Sequence, residues 1–121
     1  MKRVVVIDDD QGVVSLLQKR LEANGYQVSS AEDGVKGLEI VRSTLPDLVI
    51  LDIVMPGMDG FSLVREIRSD ERLKRIPLIV ITSKGEMGEL FKAEGVGIIL
   101  TKPFKMEDIL QKVEGFLGKA D

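Results

Sequence analysis

The chain has 121 residues and a formal net charge of −3, from 17 Lys and Arg against 20 Asp and Glu. This length suits one domain that buries its own core, and we expect a single domain over residues 1–121. The sequence contains no Cys and no His, which excludes disulfides, thiolate or imidazole metal ligands and a catalytic histidine.

The distribution of charged and apolar residues disfavours two classes of partner. Basic residues are spread along the chain, so we expect no nucleic-acid binding by this chain alone. No apolar run approaches the roughly 20 residues needed to cross a bilayer, and residues 1–3 lead directly into a strand-like segment rather than a cleavable signal. We therefore expect no membrane association and a cytoplasmic location.

Short apolar runs predict five strands. Residues 4–7, 48–51, 78–81 and 98–100 are apolar at successive positions, as parallel strands covered by helices on both faces must be. Residues 26–31 alternate between apolar and polar side chains, which predicts a weaker strand at the edge of the sheet.

Amphipathic segments between the strands predict helices, each with an apolar stripe on one face. The poorest of them covers residues 86–94, because glycines lie in and around it and each interior glycine costs about 1 kcal/mol relative to alanine. The other predicted stripes are Val14, Leu17 and Leu21; Val35, Leu38 and Val41; Phe61, Val64 and Ile67; and Ile109, Val113 and Phe116 or Leu117.

Strands that alternate with helices predict an α/β fold. Right-handed crossovers between parallel strands produce a doubly wound sheet, and the compact arrangement of five strands is the flavodoxin-like order 2-1-3-4-5 within three αβα layers. Strands one and three are then neighbours about 4.8 Å apart, so residues at their carboxyl ends converge on one small volume.

Polar residues follow four of the predicted strands at that edge: Asp8 and Asp9, Asp52, Thr82 and Lys102. Open α/β sheets bind ligands at the carboxyl ends of their strands. Two carboxylates about 5 Å apart repel by roughly 3 kcal/mol at an effective dielectric near 20, and one Lys cannot offset three of them. Because the available ligands are oxygens, without His or Cys, the sequence favours a Mg²⁺ or Mn²⁺ site.

The same residue types fit phosphoryl transfer. A metal-flanked Asp is a competent nucleophile towards phosphorus, and Asp52 has the central position. Thr82 can hydrogen-bond one phosphoryl oxygen and Lys102 can neutralise another, which supplies the positioning and electrostatics that the transfer requires. Taken singly, residues 8–10 also fit a loop and helix cap, and residues 55–60 fit a turn. The joint placement of the acidic residues, Thr82 and Lys102 after the predicted strands, with Asp52 in the centre, favours a phosphoryl-transfer site.

Four segments of the sequence match the signatures of a known family: VVVIDDD at 4–10, LVILDIVMPGMDGF at 48–61, VITS at 80–83 and LTKPF at 100–104. By these segments the sequence closely resembles response-regulator receiver domains over essentially the whole chain. The resemblance implies a domain that accepts a phosphoryl group from a phosphohistidine of a sensor histidine kinase or histidine phosphotransfer protein. It also implies that the domain signals to a downstream protein by conformational change.

Roles for the residues around the metal follow from the resemblance. It implies that Asp52 is the phosphoacceptor and that Asp9 ligates Mg²⁺ directly. Asp8 is expected to help either through a bound water or from behind the direct ligands, and the backbone carbonyl of Val54 is expected to complete the metal site.

The resemblance also assigns switch and phosphate-contact roles to Thr82 and Lys102, with a cis peptide between Lys102 and Pro103. One departure concerns the switch, because Ile99 stands where the family usually has Tyr or Phe. A second is that the stretch from Thr82 to Lys102 is shorter than is typical, and the shortening falls in residues 86–94, part of the common output face. Both departures bear on signal output and leave the phosphorylation residues intact.

Two further positions bear on the lifetime of the phosphorylated state. By the resemblance, Val54 and Lys84 neighbour the phosphoryl group, where fast-resetting relatives often have amides or acids that orient the attacking water. Val54 can neither donate nor accept a hydrogen bond, and Lys84 can pair with phosphoryl oxygens. The sequence therefore predicts a long-lived aspartyl phosphate.

Three alternative functions are weighed against this interpretation. An aspartyl-phosphate phosphatase of the haloacid dehalogenase type needs a second Asp two residues after the first, where this chain has Val54. A phosphorylation-independent adaptor is compatible with Ile99 and the short segment before Lys102, although the intact acid triad argues against it. A flavin or nucleotide carrier would need a phosphate-binding loop and aromatic residues that stack on a ring. This sequence has no such loop motif and almost no aromatic residues.

Overall fold

The computed structural model describes residues 2–53, 55, 57–82, 92–93, 95–96 and 98–118. The helix predicted over residues 86–94 therefore lies almost wholly outside the described residues. Among the described helices, none has the length and hydropathy needed to traverse a bilayer. The elements in chain order are β1 (Arg3–Ile7), α1 (Gln11–Ala23), β2 (Gln27–Ala31), α2 (Gly34–Thr44), β3 (Leu48–Asp52), α3 (Gly60–Ser69), β4 (Leu78–Thr82), β5 (Ile98–Thr101) and α4 (Met106–Leu117).

The strands form one parallel sheet in the order β2-β1-β3-β4-β5, which confirms the predicted topology. β1 pairs with β3 so that Ile7 lies opposite Leu51, which places the residues that follow these two strands side by side. Every residue of β3 and β4 is buried, as their uninterrupted apolar sequences predict for central strands. β2 lies at the edge, in agreement with its alternating pattern.

Helices cover both faces of the sheet and create two hydrophobic clusters. Alternate residues of β1 point to opposite faces, so Val5 and Ile7 belong to one cluster while Val4 and Val6 belong to the other. The first cluster contains the buried residues of α2 and α3, and the second contains those of α1 and α4. The fold is thus the expected three-layer, flavodoxin-like α/β arrangement.

Aspartate side chains cap the three helices that follow β1, β2 and β3. The carboxylate of Asp10 accepts hydrogen bonds from the backbone N–H groups of Gly12 and Val13 at the start of α1. Asp33 accepts one from Lys36 in α2, and Asp59 caps α3 in the same way. Such caps typically contribute about 1 kcal/mol each. The caps therefore fix the residue at which each of these helices begins, at the carboxyl edge of the sheet.

One detail of the predicted helix faces was wrong. Val35 is 52% exposed, and α2 instead approaches the sheet through Gly37, where a Cβ atom would lie 2.6 Å from the side chain of Ile7. This close approach rotates Val35 towards solvent. Of the two alternatives predicted for α4, Leu117 packs against the core, whereas Phe116 is 43% exposed.

The end of α4 is tied to the opposite end of the chain. The hydroxyl of Tyr26, a residue buried between α1 and β2, donates a hydrogen bond of 3.0 Å to the backbone carbonyl of Gly118. Gly118 follows α4 and has a φ of 73°, a conformation that glycine adopts at little cost. This contact fixes where α4 stops relative to the layer that contains α1.

Candidate functional site

Three of the predicted site residues meet at the carboxyl edge of the sheet. Asp8 directly follows β1, Asp52 is the last residue of β3, and Lys102 directly follows β5. The Lys102 Nζ atom lies 3.1 Å from Asp8 Oδ2 and 3.2 Å from Asp52 Oδ2. β5 is separated from β3 by β4, about 10 Å in all, so only a long side chain can bridge that gap.

The base of the Lys102 side chain is held by the neighbouring strand. The backbone N–H of Lys102 donates a 2.7 Å hydrogen bond to the carbonyl of Thr82, the last residue of β4. The peptide bond between Lys102 and Pro103 is cis, as the sequence predicted. Thr82 itself is fully buried, and its place at the end of β4 sets it beside the strand that ends in Asp52.

Asp8, Asp9 and Asp52 form a cluster of carboxylates that is suitable for a metal ion. One carboxylate oxygen from each lies within 4.8 Å of the others, and Asp9 is the exposed member. The ammonium group of Lys102 is bonded to two of the three, which leaves net negative charge at the site. Oxygen donors at this spacing fit a hard divalent cation such as Mg²⁺ or Mn²⁺.

The electrostatics of Asp8 reflect its burial. Its relative exposure is 2%, and this burial raises the pKa of its carboxyl group. Hydrogen bonds from the Asp10 N–H, at 2.9 Å, and from Lys102 lower the pKa and partly offset that effect, whereas the charge of Asp52 raises it. Removal from water therefore dominates, and ionised Asp8 is costly when no added cation is present.

At Lys102, by contrast with Asp8, neighbouring charges outweigh the effect of burial and favour the charged form. Burial alone lowers the pKa of its ammonium group, but the hydrogen bonds and charges of Asp8 and Asp52 outweigh this effect and raise the pKa overall. The side chain therefore stays protonated over the whole physiological range. It is a fixed positive charge that faces the carboxylates.

Both oxygens of the Asp52 carboxylate have partners. The backbone N–H of Ile53 donates to Oδ1 at 2.7 Å, and Lys102 donates to Oδ2 at 3.2 Å. Asp52 is 7% exposed, so these two bonds orient the carboxylate at the edge of the core. A carboxylate has about four acceptor positions, which leaves lone pairs for a metal or an electrophile.

Not every predicted site residue falls within the described part of the chain. Val54 and Lys84 lie outside the described residues. Ile99 is described, and it is partly buried against the cluster that contains Val80 and Val96. An aliphatic side chain therefore occupies the position of the family's switch aromatic and packs against the core.

Sequence reasoning missed the backbone groups around Asp52. The N–H of Ile53 bonds to the carboxylate, and the backbone of Gly60 packs directly on Asp52 and Ile53. A backbone amide carries no residue-type signal, so no pattern could have identified Ile53. The Asp59-Gly60 pair was predicted only as a turn, although its glycine was the available signal of a close approach.

Comparisons with known proteins agree with this geometry. Residues 4–114 match the family described as response regulator receiver domain. The chain is 37% identical, over its full length, to the DNA-binding dual master transcriptional regulator RpaA of Synechocystis, of which it covers 51%. It is 35% identical to the protein PilH of Pseudomonas aeruginosa, with 98% of this chain and 99% of PilH aligned. The chain thus spans about half the length of RpaA and nearly all of PilH.

Solved structures show the same likeness. The chemotaxis response regulator CheY4 of Vibrio cholerae superposes with a TM-score of 0.90 at 30% identity, covering 96% of this chain and 98% of CheY4. The response regulator TrrA of Thermotoga maritima, solved in complex with Mg²⁺ and BeF, has a TM-score of 0.86 at 32% identity. That match covers 96% of this chain and 99% of TrrA.

Proposed function

The chain belongs to the response regulator receiver domain family, and on that premise we propose that it accepts a phosphoryl group on Asp52 in a Mg²⁺-dependent reaction. Receiver domains are signalling domains of two-component systems rather than turnover enzymes; histidine kinases phosphorylate them, and they act on downstream effectors. The proposed donor is a phosphohistidine of a sensor histidine kinase or histidine phosphotransfer protein.

One observation carries the proposal: the carboxylate of Asp52 is buried, oriented and placed next to Asp8 and the ammonium group of Lys102. A nucleophile that is held in one orientation loses little entropy in the transition state. Lys102 is close enough to Asp52 to meet an incoming phosphoryl oxygen after a small movement. The arrangement therefore offers both positioning and charge stabilisation.

Asp9 and Asp52 are the proposed direct side-chain ligands of the metal, Asp8 supports the same site, and the family resemblance adds the backbone carbonyl of Val54. The fit rests on the three carboxylate oxygens within 4.8 Å and on the negative charge that Lys102 leaves uncompensated. When bound, a divalent cation offsets the repulsion between Asp52 and an anionic phosphoryl group.

The transfer step can be written for the residues of this chain. An oxygen of the Asp52 carboxylate forms a bond to phosphorus while the bond between phosphorus and the donor nitrogen breaks, and the electron pair stays with that nitrogen. The products are an acyl phosphate on Asp52 and a neutral donor histidine, whose other ring nitrogen carries the proton. Lys102 then neutralises one phosphoryl oxygen, and the hydroxyl of Thr82 donates to another. Hydrolysis of the acyl phosphate later restores Asp52.

This chain spans about half of RpaA but nearly all of PilH, so the lengths of its relatives do not fix how a signal leaves the domain. We propose that output passes through contact with a downstream protein in the cytoplasm. A phosphorylation-independent adaptor is the second candidate, because Ile99 replaces the usual aromatic and packs against the core. A partner that binds only the phosphorylated chain would exclude the adaptor.

The acceptor is tested by incubating the chain with acetyl phosphate and Mg²⁺ and measuring the mass of the intact protein. The wild type should gain one phosphoryl group, whereas Asp52→Asn and the wild type with a chelator should not. Asp9→Ala should also lose metal-dependent labelling, because too few oxygen ligands remain. Asp108→Asn, at an exposed site in α4, is the matched control and should label normally. Equal labelling of the wild type and Asp52→Asn would disprove the assignment.

A further inference from the structure

The loop between β3 and α3, residues 53–59, begins directly after Asp52. Ile53, its first residue, makes two hydrogen bonds of 2.7 Å: its N–H donates to Asp52 Oδ1, and its carbonyl accepts from the N–H of Gly60. Gly60 is the first residue of α3. One residue thus connects the Asp52 carboxylate to the start of a helix.

Gly60 packs against the backbone of the same segment. A Cβ atom at this position would lie 2.4 Å from the carbonyl oxygen of Asp52 and 2.6 Å from the Cα atom of Ile53. Ordinary van der Waals contact begins at 3.4 Å, and both neighbours are backbone atoms that cannot rotate away. A side chain at residue 60 would therefore have to separate α3 from the end of β3.

Conformational freedom does not explain this glycine. Gly60 lies within the regular α3 helix, unlike Gly57, which has a φ of 74° and open space around it. A glycine in a helix lowers stability relative to alanine. What position 60 requires is the absence of a side chain.

The far end of the loop has a similar contact. Gly34, the first residue of α2, lies so close to Met58 that a Cβ atom there would be 2.4 Å from the Met58 carbonyl oxygen. Ile53 and Met58, two described residues of the loop that follows Asp52, thus contact the first residues of two neighbouring helices, each a glycine directly after an aspartate cap.

We infer that Gly60 is a positioning residue for phosphorylation: its missing side chain sets the distance between α3 and the backbone of Asp52, and thereby the place of the Asp52 carboxylate relative to Asp8 and Lys102. This inference rests on the proposed function. An alanine at residue 60 displaces the segment by ~1 Å, and a misplacement of that size can cost on the order of a hundredfold in rate.

The test compares Gly60→Ala with the replacement of a glycine at which an added Cβ atom would contact no other residue. Gly115 lies within α4, and a Cβ atom there has no neighbour within 4 Å, so Gly115→Ala should stabilise the helix without touching the site. Gly60→Ala is made in the Gly115→Ala background to retain folding. Labelling by acetyl phosphate at saturating Mg²⁺ is followed over time, and each rate is divided by the folded fraction from circular dichroism.

We expect the Gly60→Ala, Gly115→Ala double variant to label at least tenfold more slowly than Gly115→Ala alone, which should match the wild type. Ile67→Val, two turns further along α3, lowers stability in the same helix and should leave the normalised rate unchanged. The amide resonance of Ile53 should shift in the double variant, which a general loss of stability would not cause. Gly34→Ala in the same background is the second variant and should also slow labelling.

A normalised rate for the Gly60→Ala double variant equal to that of Gly115→Ala would overturn the inference. So would an equal slowing by Ile67→Val, because stability alone would then account for the effect. If the double variant does not fold, the Gly34→Ala variant decides by the same comparison. Labelling of Asp52→Asn at the wild-type rate would instead remove the proposed function, so the two failures are distinguishable.

Discussion

Lys102 and Asp8 are 94 positions apart in the chain, yet the ammonium nitrogen of Lys102 lies 3.1 Å from Asp8 Oδ2. The same nitrogen is bonded to Asp52, so one cation serves two buried carboxylates. A divalent metal at this cluster would face Lys102 at close range. Lys102 therefore stabilises the metal-free site, and we expect it to compete with a divalent cation for the carboxylates.

Removal of the Lys102 charge should tighten metal binding. In Lys102→Met, the side chain keeps a similar length but loses its ammonium group. Unit charges about 5 Å apart interact by roughly 3 kcal/mol at an effective dielectric near 20, so even a partly screened repulsion corresponds to a change of about tenfold in the Mg²⁺ dissociation constant. A Mg²⁺ titration followed by nuclear magnetic resonance measures this constant.

The same variant should label more slowly with acetyl phosphate, because no ammonium group then stabilises the phosphoryl oxygens. Lys105→Met, at an exposed position beside α4, is the control and should change neither quantity. Weaker Mg²⁺ binding by Lys102→Met would contradict the proposed competition.

Neutralising Asp8 should stabilise the metal-free protein. Burial raises the pKa of Asp8 above 3.8 in the folded state, so the folded state holds this proton more tightly than the unfolded state does. The contribution of Asp8 to stability therefore falls as the pH rises from about 4 through the raised pKa. Asp8→Asn removes that loss and, in chelator at neutral pH, should raise the melting temperature by a few degrees.

The expected difference between Asp8→Asn and wild type grows from acidic to neutral pH in chelator, and thermal unfolding across that range measures it. In excess Mg²⁺ the order should reverse, because only the wild type keeps all three carboxylates. A variant that is less stable than wild type in chelator at neutral pH would show that the hydrogen bonds of Asp8 outweigh the cost of its burial.

The lifetime prediction concerns Val54 and Lys84. By the family resemblance these positions adjoin the phosphoryl group, and neither side chain can orient a hydrolytic water in the way that an amide or acid does. Val54→Asn combined with Lys84→Glu should speed dephosphorylation about tenfold, which corresponds to about 1.4 kcal/mol in the barrier. Decay is followed in Mg²⁺ after removal of the donor, and equal decay in wild type and double variant would refute the prediction.

The Tyr26 hydroxyl offers a prediction about stability alone. Tyr26→Phe keeps the buried ring and removes the donor to the Gly118 carbonyl, which should cost about 1 kcal/mol of unfolding free energy. Urea unfolding should show a lower midpoint with an unchanged slope. The rate of labelling by acetyl phosphate should not change, because this contact lies outside the acid cluster. A slower rate would indicate that the position of α4 affects the site.

Much of this architecture was predictable because it follows from a strong periodic signal. Runs such as residues 48–51 and 78–81 are apolar on both faces, which only a central parallel strand requires. The convergence of Asp8 and Asp52 then follows from the pairing of β1 with β3. That pairing made the acid cluster predictable without any tertiary information.

The wrong prediction for Val35 and the missed contact of Gly60 both arose where a glycine packs closely against a neighbouring element. The outward position of Val35 depends on the approach of Gly37 to Ile7, and an apolar stripe does not record such an approach. The contact of Gly60 with Asp52 is hidden for the same reason. In both places the packing depends on how closely the glycine backbone approaches its neighbour, and hydrophobic periodicity carries no information about that distance.

The bridge from Lys102 to Asp8 and Asp52 also sets an order of events during synthesis. The ribosome adds about 5–20 residues per second, so Lys102 follows Asp52 by roughly 3–10 s. During that interval a nascent chain contains every carboxylate of the cluster but not the ammonium group that pairs with them. Lys102, the residue directly after the last strand, therefore adds the positive charge of the site only after the whole acid cluster has been synthesised.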